Sequence, residues 1–283
     1  MRLYSILRNY LVYDNEPKGA LHFYILYIFR LLYDPKKRGV TELVLKYSRY
    51  IVNDRDNKKL FSLRSFGGNT KSRGINFYKK EPDTVEWISN FDHNSSFLDV
   101  GANVGIFSLY AGKQGHKVIS VEPESLNFAL LNLNIYDNSL NNKVIAFPIC
   151  FNDINKFDIL QLSELNWGKS GHNFQNQNEI LHKSDYIKQG SFGTTVDNFL
   201  NQINFNPKYI KIDVDGNELK VLSGMTDILE SHICKSLLIE LESESQIERE
   251  CIDLLCKFNY KTVSKKKVYE KGHSTNYIFE PEI

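Results

Sequence analysis

The stretch FLDVGANVGIFSLYA, residues 97–111, decides the fold class. It begins with a short β-prone run, turns through Gly101, Ala102 and Asn103, and continues as an apolar pattern typical of a helix. Gly101 permits a tight turn with close approach of a ligand, and Gly105 permits close packing of the helix on the sheet. The stretch therefore predicts a nucleotide-type binding site at the carboxyl end of a first strand.

Strand-like and helix-like stretches alternate on the C-terminal side of this turn. The strand-like runs lie at 97–100, 117–121, 144–149, 209–212 and 236–241, and the helix-like ones at 104–113, 125–137, 218–222 and 246–258. Such alternation is typical of a parallel sheet with helices on both faces. A hairpin over 50–63 and a helix over 83–91, capped by Asp83, precede the sheet. The polar residues 152–191 predict an irregular insertion in a position where substrate loops commonly lie.

The composition excludes several classes of function. Lys and Arg number 35 against 34 Asp and Glu, and this net charge of +1 argues against a nucleic-acid-binding surface. With 42% hydrophobic residues and a mean hydropathy of −0.37, the chain predicts a soluble globular protein. The absence of CxxC spacing and of a recognisable signal peptide predicts a cytoplasmic protein with free thiols. These thiols belong to Cys150, Cys234, Cys251 and Cys256.

The first 48 residues differ in character from the rest and predict an aromatic-rich helical extension. Their apolar run over 20–33 is interrupted by Arg30 and is too short to span a bilayer. Flanking cations and tyrosines fit either a helix buried on the main domain or a second subunit, or a segment lying on the inner face of the membrane. We therefore predict an extension over 1–48, a hairpin and lead-in helix over 49–95, and a core over 96–283.

Two acids indicate which cofactor the glycine turn binds. Glu122 ends the second strand 23 residues after Asp99, and an acid in that place accepts both hydroxyls of an adenosine ribose. A dinucleotide prefers G-x-G-x-x-G, whereas here the middle glycine is replaced and Asp99 adds negative charge. S-Adenosylmethionine carries an ammonium and a sulfonium that Asp99 attracts, and a carboxylate that turn amides bind. The residues favour S-adenosylmethionine over NAD, and an ordinary strand–helix turn without a ligand stays an alternative.

A second constellation, YIKIDVDGNELKVLSG at 209–224, follows the fourth strand. It holds Asp213, Asp215 and Glu218, and three carboxylates so close together need a cation, a shared proton or a developing positive charge to offset their repulsion. Asp215 and Glu218 also fit a helix cap and its N3 partner, which leaves Asp213 unexplained. Glu240, near the end of the fifth strand, is expected at the same edge of the sheet as these three carboxylates.

Together the two stretches resemble the FkbM family of S-adenosylmethionine-dependent methyltransferases. The resemblance rests on D-V-G-A-N-V-G at 99–105, E-P at 122–123 and K-I-D-V-D-G-N-E at 211–218, and it extends from about Tyr50 to the C-terminus. Asp215 departs from the glutamate commoner in the family. The resemblance implies a Rossmann-like class I methyltransferase with a seven-stranded, mostly parallel sheet and helices on both faces. Residues 259–263 and 275–279 would be strands six and seven, the last antiparallel.

The resemblance also implies functional residues and an acceptor class. Family members mainly O-methylate hydroxyls in polyketides, glycolipids and surface polysaccharides, so the implied partner is a small-molecule or glycan acceptor. Asn127 is expected near the ribose, and Asn152 and Asp153 near the adenine. The full set expected to bind S-adenosyl-L-methionine is Asp99, Gly101, Ala102, Asn103, Gly105, Glu122, Pro123, Asn127, Asn152 and Asp153.

Methyl transfer to an alcohol needs alignment and removal of a proton, and four residues are candidates for this work. Asp213 is the expected base or orienting group, with Glu218 and Glu240 shaping its charge. His172 is a second candidate base, although a solvated histidine in a polar loop fits as well. A divalent metal ion on Asp213 stays an open alternative.

Three rival functions follow from the same residues. An NAD-dependent sugar oxidoreductase would need a Tyr-x-x-x-Lys pair, which the sequence lacks in the right region. A non-catalytic scaffold would bind S-adenosylmethionine without releasing its methyl group. A membrane-peripheral interaction module would act through the N-terminal extension.

Overall fold

The computed structural model describes residues 48–175, 187–268 and 273–282, so the N-terminal extension predicted over 1–48 lies almost wholly outside the described residues. The strands are β1 (Arg49–Asn53), β2 (Lys59–Arg64), β3 (Ser96–Val100), β4 (Lys117–Val121), β5 (Val144–Phe147), β6 (Cys150–Phe151), β7 (Lys156–Leu162), β8 (Asn173–Gln175), β9 (Ile187–Thr194), β10 (Tyr209–Ile212), β11 (Ser236–Glu242), β12 (Tyr260–Lys267) and β13 (Ser274–Pro281). The helices are α1 (Gly68–Ile75), α2 (Phe77–Lys80), α3 (Pro82–Ser89), α4 (Ile106–Lys113), α5 (Ser125–Asp137), α6 (Val196–Ile203), α7 (Glu218–Ser223), α8 (Thr226–Glu230) and α9 (Gln246–Lys257).

A seven-stranded sheet in the order β12-β13-β11-β10-β3-β4-β5 organises the main domain. The pairs from β11 to β5 are parallel, and β13 runs antiparallel to both β11 and β12. This confirms the predicted seven-stranded, mostly parallel sheet with an antiparallel last strand. Because carboxyl ends of parallel strands meet at one edge, the ends of β3, β4, β10 and β11 lie together there.

Both faces of the sheet are buried, because successive side chains of β10 point alternately into two hydrophobic cores. Ile210 and Ile212 belong to the core that α6 to α9 help to cover, whereas Tyr209 belongs to the core beneath the hairpin and α2 to α5. Tyr209 stacks on Phe91 with ring centroids 3.8 Å apart. Lys211 is also buried, on the side of Phe107. A lysine in the middle of a central strand is rare and marks this strand for closer attention.

The predicted hairpin forms and packs on α4 and α5. Arg64 donates two hydrogen bonds to the carboxylate of Asp137, at 2.7 and 3.0 Å, which joins the hairpin to the end of α5. The predicted cap of the next helix was wrong, because α3 begins at Pro82 and its N-cap is Glu81. Asp83 is instead buried in the first turn, where it accepts a hydrogen bond from Asn276. None of the helices in the described residues is long and apolar enough to cross a membrane.

The predicted irregular insertion over 152–191 was also wrong where the structure describes it. These residues contribute most of a second sheet, in the order β6-β9-β7-β8, with an antiparallel pair between β7 and β9. One face of this small sheet covers Leu160, Leu162 and Phe174, while the other faces outward and leaves Phe157 79% exposed. A two-faced antiparallel sheet of this kind has a weaker sequence pattern than a buried parallel strand.

Candidate active site

The glycine turn after β3 packs directly against the end of β10. Gly101 has a φ of +80°, and a Cβ atom there would lie 1.9 Å from the carbonyl oxygen of Asp213. Both the left-handed conformation and the missing space require glycine. The amides of Gly101 and Ala102 donate to the carbonyl of Val121, which fixes the turn against β4. The turn therefore holds Asp213 beside the predicted cofactor site.

Glu122 is buried at the end of β4, and each of its two carboxylate oxygens accepts a backbone amide. Oε2 accepts the amide of Asn103 at 2.7 Å, and Oε1 accepts the amide of Glu124 at 2.9 Å. Burial raises the pKa of Glu122 to about 7, even though both amides act to lower it. A buried carboxylate with two oxygens is the acceptor that a vicinal diol requires.

Asp99 lies behind the turn. Its Oδ2 accepts a hydrogen bond from Ser108 Oγ at 2.5 Å, and its buried Oδ1 has no hydrogen-bond partner among the described residues. Burial raises the pKa of Asp99, and the nearby Lys211 opposes that shift. Asp99 does not line the cavity described next, so its negative charge acts on the turn from below.

A cavity of about 130 Å³ lies above the turn. It brings together seven of the predicted cofactor and catalytic residues: Gly101, Asn103, Glu122, Pro123, His172, Asp213 and Glu240. Apolar side chains of Ile149, Phe151, Leu160 and Phe174 form another part of its wall. These predicted cofactor and catalytic residues thus line one cavity, and its wall has a polar part and an apolar part.

A glycine-containing loop over 168–172 covers this space. The carbonyl of Lys169 accepts hydrogen bonds from the side-chain amides of Asn103 and Asn127, both at 2.9 Å. Asn127 also accepts the amide of Gly168 at 2.8 Å, so its contact is with the loop. The other end of the loop is held by Asp215, whose Oδ2 accepts the amide of Gly171 at 2.6 Å and that of His172 at 3.2 Å.

Asp215 therefore does not cap α7, and that interpretation was wrong. The N-cap of α7 is Asn217, which makes no side-chain cap hydrogen bond. Glu218 is buried at the start of this helix, outside the cavity wall, and accepts the amide of Gly216 at 3.1 Å. Burial raises the pKa of Glu218 to about 7, and the negative charges of Asp213 and Asp215 add to the rise.

The ring of His172 has one nitrogen engaged and one without a partner. Nδ1 accepts the amide of Ser163 at 3.3 Å, and the buried Nε2 makes no hydrogen bond within the described residues. Burial lowers the pKa of His172 and outweighs the nearby carboxylates of Glu124 and Asp215. The ring is therefore neutral near pH 7 and carries its proton on Nε2, which makes that atom a donor.

Lys211 provides the cation that the clustered acids require. Its side chain is 1% exposed, its Nζ lies 2.6 Å from Asp213 Oδ2, and it lies 5.0 Å from the centre of the Phe107 ring. Burial acts to lower the pKa of Lys211, but Asp213, Glu81 and Asp99 together raise it above its ordinary value. For Asp213, burial raises the pKa, but Lys211 together with Lys80 and Arg73 lowers it by more, so the pKa lies below the usual range.

Glu81, Asp213 and Glu240 form an acidic cluster, with one carboxylate oxygen from each within 4.8 Å of the others. Burial raises the pKa of Glu240 to about 8, and the charges of Asp213 and Glu81 contribute. Three carboxylate oxygens are ligands that a hard divalent cation accepts. However, Lys211 already lies against Asp213 and Lys80 lies 3.3 Å from Glu81, so two ammonium groups balance the cluster. A metal ion on Asp213 stays a prediction.

Several predicted residues lie away from the cavity wall. Gly105 has a φ of +86°, and a Cβ there would lie 2.3 Å from Leu131 on α5, so the close approach that needs glycine is to another helix and the predicted packing on the sheet stays a prediction. Asn152 is buried, and both polar atoms of its side chain lack a hydrogen-bond partner among the described residues. Asp153 is exposed and lines a separate depression beside Thr195. Contacts of Asn152 and Asp153 with adenine stay predictions.

Four charged residues of the site received no role from the sequence. Lys211 stands inside the quoted motif, but nothing local shows that its ammonium is buried. The other three come from α1, α2 and the start of α3, more than 100 residues before Asp213. They are Arg73, Lys80 and Glu81. Only the run K-K-E-P at 79–82 marks this place in the sequence.

Comparison with known proteins places this geometry in a family. The model of the methyltransferase FkbM domain matches residues 99–265, which is more than half of the chain and includes the glycine turn, Glu122 and the motif around Asp213. The chain belongs to the FkbM methyltransferase family. It is thus an S-adenosylmethionine-dependent methyltransferase, and the NAD-dependent and non-catalytic alternatives are set aside.

Three solved structures resemble this FkbM methyltransferase distantly. Magnesium protoporphyrin IX methyltransferase from Synechocystis PCC 6803, solved with bound S-adenosylmethionine, is 8% identical, with 77% of this chain and 86% of that chain covered and a TM-score of 0.48. A precorrin-6y C5,15-methyltransferase from Geobacter metallireducens is 10% identical, with 72% and 87% covered and a TM-score of 0.43. An NADB-Rossmann superfamily protein from Streptococcus agalactiae is 12% identical, with 72% and 68% covered and a TM-score of 0.44. No curated protein matches the chain significantly.

The residues of the FkbM methyltransferase fit the family's cofactor. Glu122 offers two buried oxygens for the ribose hydroxyls, and Gly101 and Asn103 of the turn line the cavity beside it, whereas Ala102 does not. Asp99 places a buried oxygen without a partner beneath the turn, where a cationic group is favoured. The apolar wall around Phe151 suits an adenine ring.

Proposed function

We propose that this methyltransferase methylates a hydroxyl of a sugar, in a surface polysaccharide, a glycolipid or a related natural product. This proposal rests on Asp213, whose ionised and partly exposed carboxylate lies in the wall of the cofactor cavity. An alcohol needs an acceptor for its proton and its orientation, whereas a thiolate or a neutral amine needs much less help. The acceptor classes of the family point the same way.

Asp213 and Glu240, two of the carboxylates of the cavity wall, have different pKa values and divide the work between them. Lys211 keeps the pKa of Asp213 low, which makes Asp213 a weak base but a constant hydrogen-bond acceptor that aligns the hydroxyl. Glu240 has a pKa of about 8, so its ionised form is a much stronger base at a working pH near 7. We assign the orientation of the hydroxyl to Asp213 and the removal of its proton to Glu240.

The cofactor, His172 and the loop over 168–172 have further roles in the proposed reaction. S-Adenosylmethionine supplies the activated methyl group when it is bound. His172 Nε2 is a donor and suits an oxygen of the acceptor, and Ser170 and His172 of the loop over 168–172 line the cavity. The same proposal includes a cytoplasmic location, no nucleic-acid partner and peripheral membrane contact through residues 1–48.

A screen with isotopically labelled methyl groups tests the reaction. Free sugars, glycosides and glycolipid headgroups are offered together with amine and thiol acceptors, and mass spectrometry locates the label. We expect label on a sugar oxygen, a loss of kcat of at least 100-fold in Asp213→Asn and Glu240→Gln, and no change in Asp253→Asn, an exposed site on α9. Label found only on nitrogen or sulfur, or full turnover in Asp213→Asn, would refute the assignment.

A further inference from the structure

An open basic depression of about 450 Å³ adjoins the active-site cavity. Its charged lining consists of cations, and the described residues that line it include no carboxylate. The cations are Arg73, Lys79, Lys80 and Lys169, and the amides of Asn69 and Asn76 lie among them. In a chain with a net charge of only +1, such a local concentration of positive charge is a specific feature.

The basic depression and the cavity are continuous. Arg73, Lys80 and Ser170 line both of them. A molecule whose hydroxyl reaches Asp213 and that extends past these three side chains places its next group in the basic depression.

The ion pairs around the depression leave a surplus of positive charge. Lys169 pairs with Glu164 at 3.5 Å, and Lys80 pairs with Glu81 at 3.3 Å. Arg73 donates through Nε and Nη2 to the carbonyl of Gly168, at 3.2 and 3.0 Å, so it is positioned by a neutral partner and keeps its full charge. Lys79 forms no ion pair within the described residues. Four cations against two carboxylates leave a surplus of about two positive charges.

Charge also fixes the direction in which an acceptor enters. The cavity end holds the acidic cluster of Glu81, Asp213 and Glu240, which repels an anion and attracts a hydroxyl proton. The outer end is the basic depression, which is positively charged. An acceptor with a neutral hydroxyl end and an anionic end satisfies both parts of the site, whereas a neutral sugar satisfies only one.

We propose that the basic depression binds a phosphate ester of the acceptor. A dianionic phosphate matches the surplus charge, and its three oxygens match a guanidinium, three ammonium groups and side-chain amides better than a planar carboxylate does. The inference rests on the proposed sugar methylation, because it assigns the substrate class for the same site. The phosphate belongs to a sugar phosphate, a nucleotide sugar or a lipid-linked sugar diphosphate, which share this chemistry.

The first experiment measures phosphate binding without any turnover. Inorganic phosphate is titrated into the full chain by calorimetry, and the same titration is made with Lys79→Gln, the double variant Lys79→Gln/Lys169→Gln, and Lys117→Gln as the matched control. Lys117 is exposed at the amino end of β4, at the opposite edge of the sheet. We expect affinity to fall about fivefold in the single variant and more than tenfold in the double variant, with no change in the control. Equal affinity in all four proteins overturns the proposal.

The second experiment compares acceptors. Hexose 1-phosphates, uridine diphosphate sugars and lipid-linked sugar diphosphates are each offered beside the unphosphorylated sugar, and KM and kcat are measured separately. For the phosphorylated sugar that the enzyme methylates, we expect a KM at least tenfold lower than for the unphosphorylated sugar. We expect the KM for that phosphorylated sugar to increase in Lys79→Gln. Equal KM values for phosphorylated and neutral sugars would remove the subsite but leave sugar methylation intact.

Two further outcomes distinguish the phosphate subsite from the proposed sugar methylation and from a membrane contact. Phosphate binding that depends on Lys79, together with methyl transfer to no sugar, would support the subsite and refute the proposed function. Binding to vesicles of phosphatidylserine and phosphatidylcholine that is lost in the double variant, with no binding of inorganic phosphate, would identify the depression as a membrane contact and overturn the inference.

Discussion

Replacing Lys211 by methionine removes the buried cation that three carboxylates share. Nζ of Lys211 lies 2.6 Å from Asp213 Oδ2, and Asp99 and Glu81 also raise its pKa. Removing one partner of a buried ion pair costs about 3–5 kcal/mol, because the other charge stays buried. The side chain of Asp213 is 33% exposed and regains some hydration, so we expect the lower end, about 3 kcal/mol. For a domain of this size that corresponds to a decrease in Tm of roughly 6–12 °C.

The sign of the pH dependence makes this prediction specific. In the native protein the pKa of Asp213 lies below its ordinary value, so its stabilisation is present above about pH 4 and is lost as the pH falls through the lowered pKa. Without Lys211 the carboxylates prefer their neutral forms, and ionising them costs more as the pH rises. The deficit in the free energy of unfolding is therefore smaller at pH 5 than at pH 8.

Urea unfolding followed by circular dichroism at pH 5 and pH 8 measures this deficit. The double variant Lys211→Met/Asp213→Asn is the control, because it also removes the nearest buried charge and should recover at least 1 kcal/mol at pH 8. A deficit below about 1 kcal/mol at pH 8, or one that is equal at both pH values, would refute the reasoning.

Three further predictions test other parts of the site. Affinity for S-adenosylmethionine should rise with pH up to the pKa of Glu122, about 7, by at most about tenfold per pH unit, because only the ionised carboxylate accepts both ribose hydroxyls. Calorimetry from pH 5.5 to 8.5 checks this, with Glu122→Gln expected to flatten the profile. Gly101→Ala should abolish cofactor binding and lower stability by more than about 2 kcal/mol, because the new Cβ meets the carbonyl oxygen of Asp213 at 1.9 Å and φ is positive. Thermal unfolding and the same titration measure both effects, and native-like binding would contradict them. Arg64→Met should cost about 2–4 kcal/mol in urea unfolding because Asp137 is only 3% exposed, and equal loss in Arg64→Lys would argue against the paired geometry.

The parallel sheet was predictable because its signals are local. Each buried strand is a short apolar run, and the turn at Gly101 needs glycine for reasons visible in its own backbone. The position of Glu122 after the second strand follows from the same regularity. Nothing distant in the sequence has to be known for these predictions, and the family motifs occupy the same local segments.

The parts that could not be predicted depend on contacts between distant segments. Asp215 fits a helix cap by its local pattern, but its carboxylate instead accepts the amides of Gly171 and His172, which are 44 and 43 residues away. Glu81 reaches Asp213 only through the packing of α3 on the sheet. The second sheet escaped prediction because its outer face is solvated and carries Phe157 beside polar residues.

The separation of the two walls of the active site has an evolutionary consequence. The cofactor wall comes from β3 and β4, whose register is fixed by the whole parallel sheet. The basic depression, where we propose that the phosphate of the acceptor binds, comes from α1 and α2, which precede that sheet, and from the loop of the second sheet, which is inserted between β5 and α6. Substitutions or changes of length in these two segments leave the register of the central strands intact. New acceptors can therefore arise by divergence of the peripheral segments, while selection keeps the methyl-donor site constant.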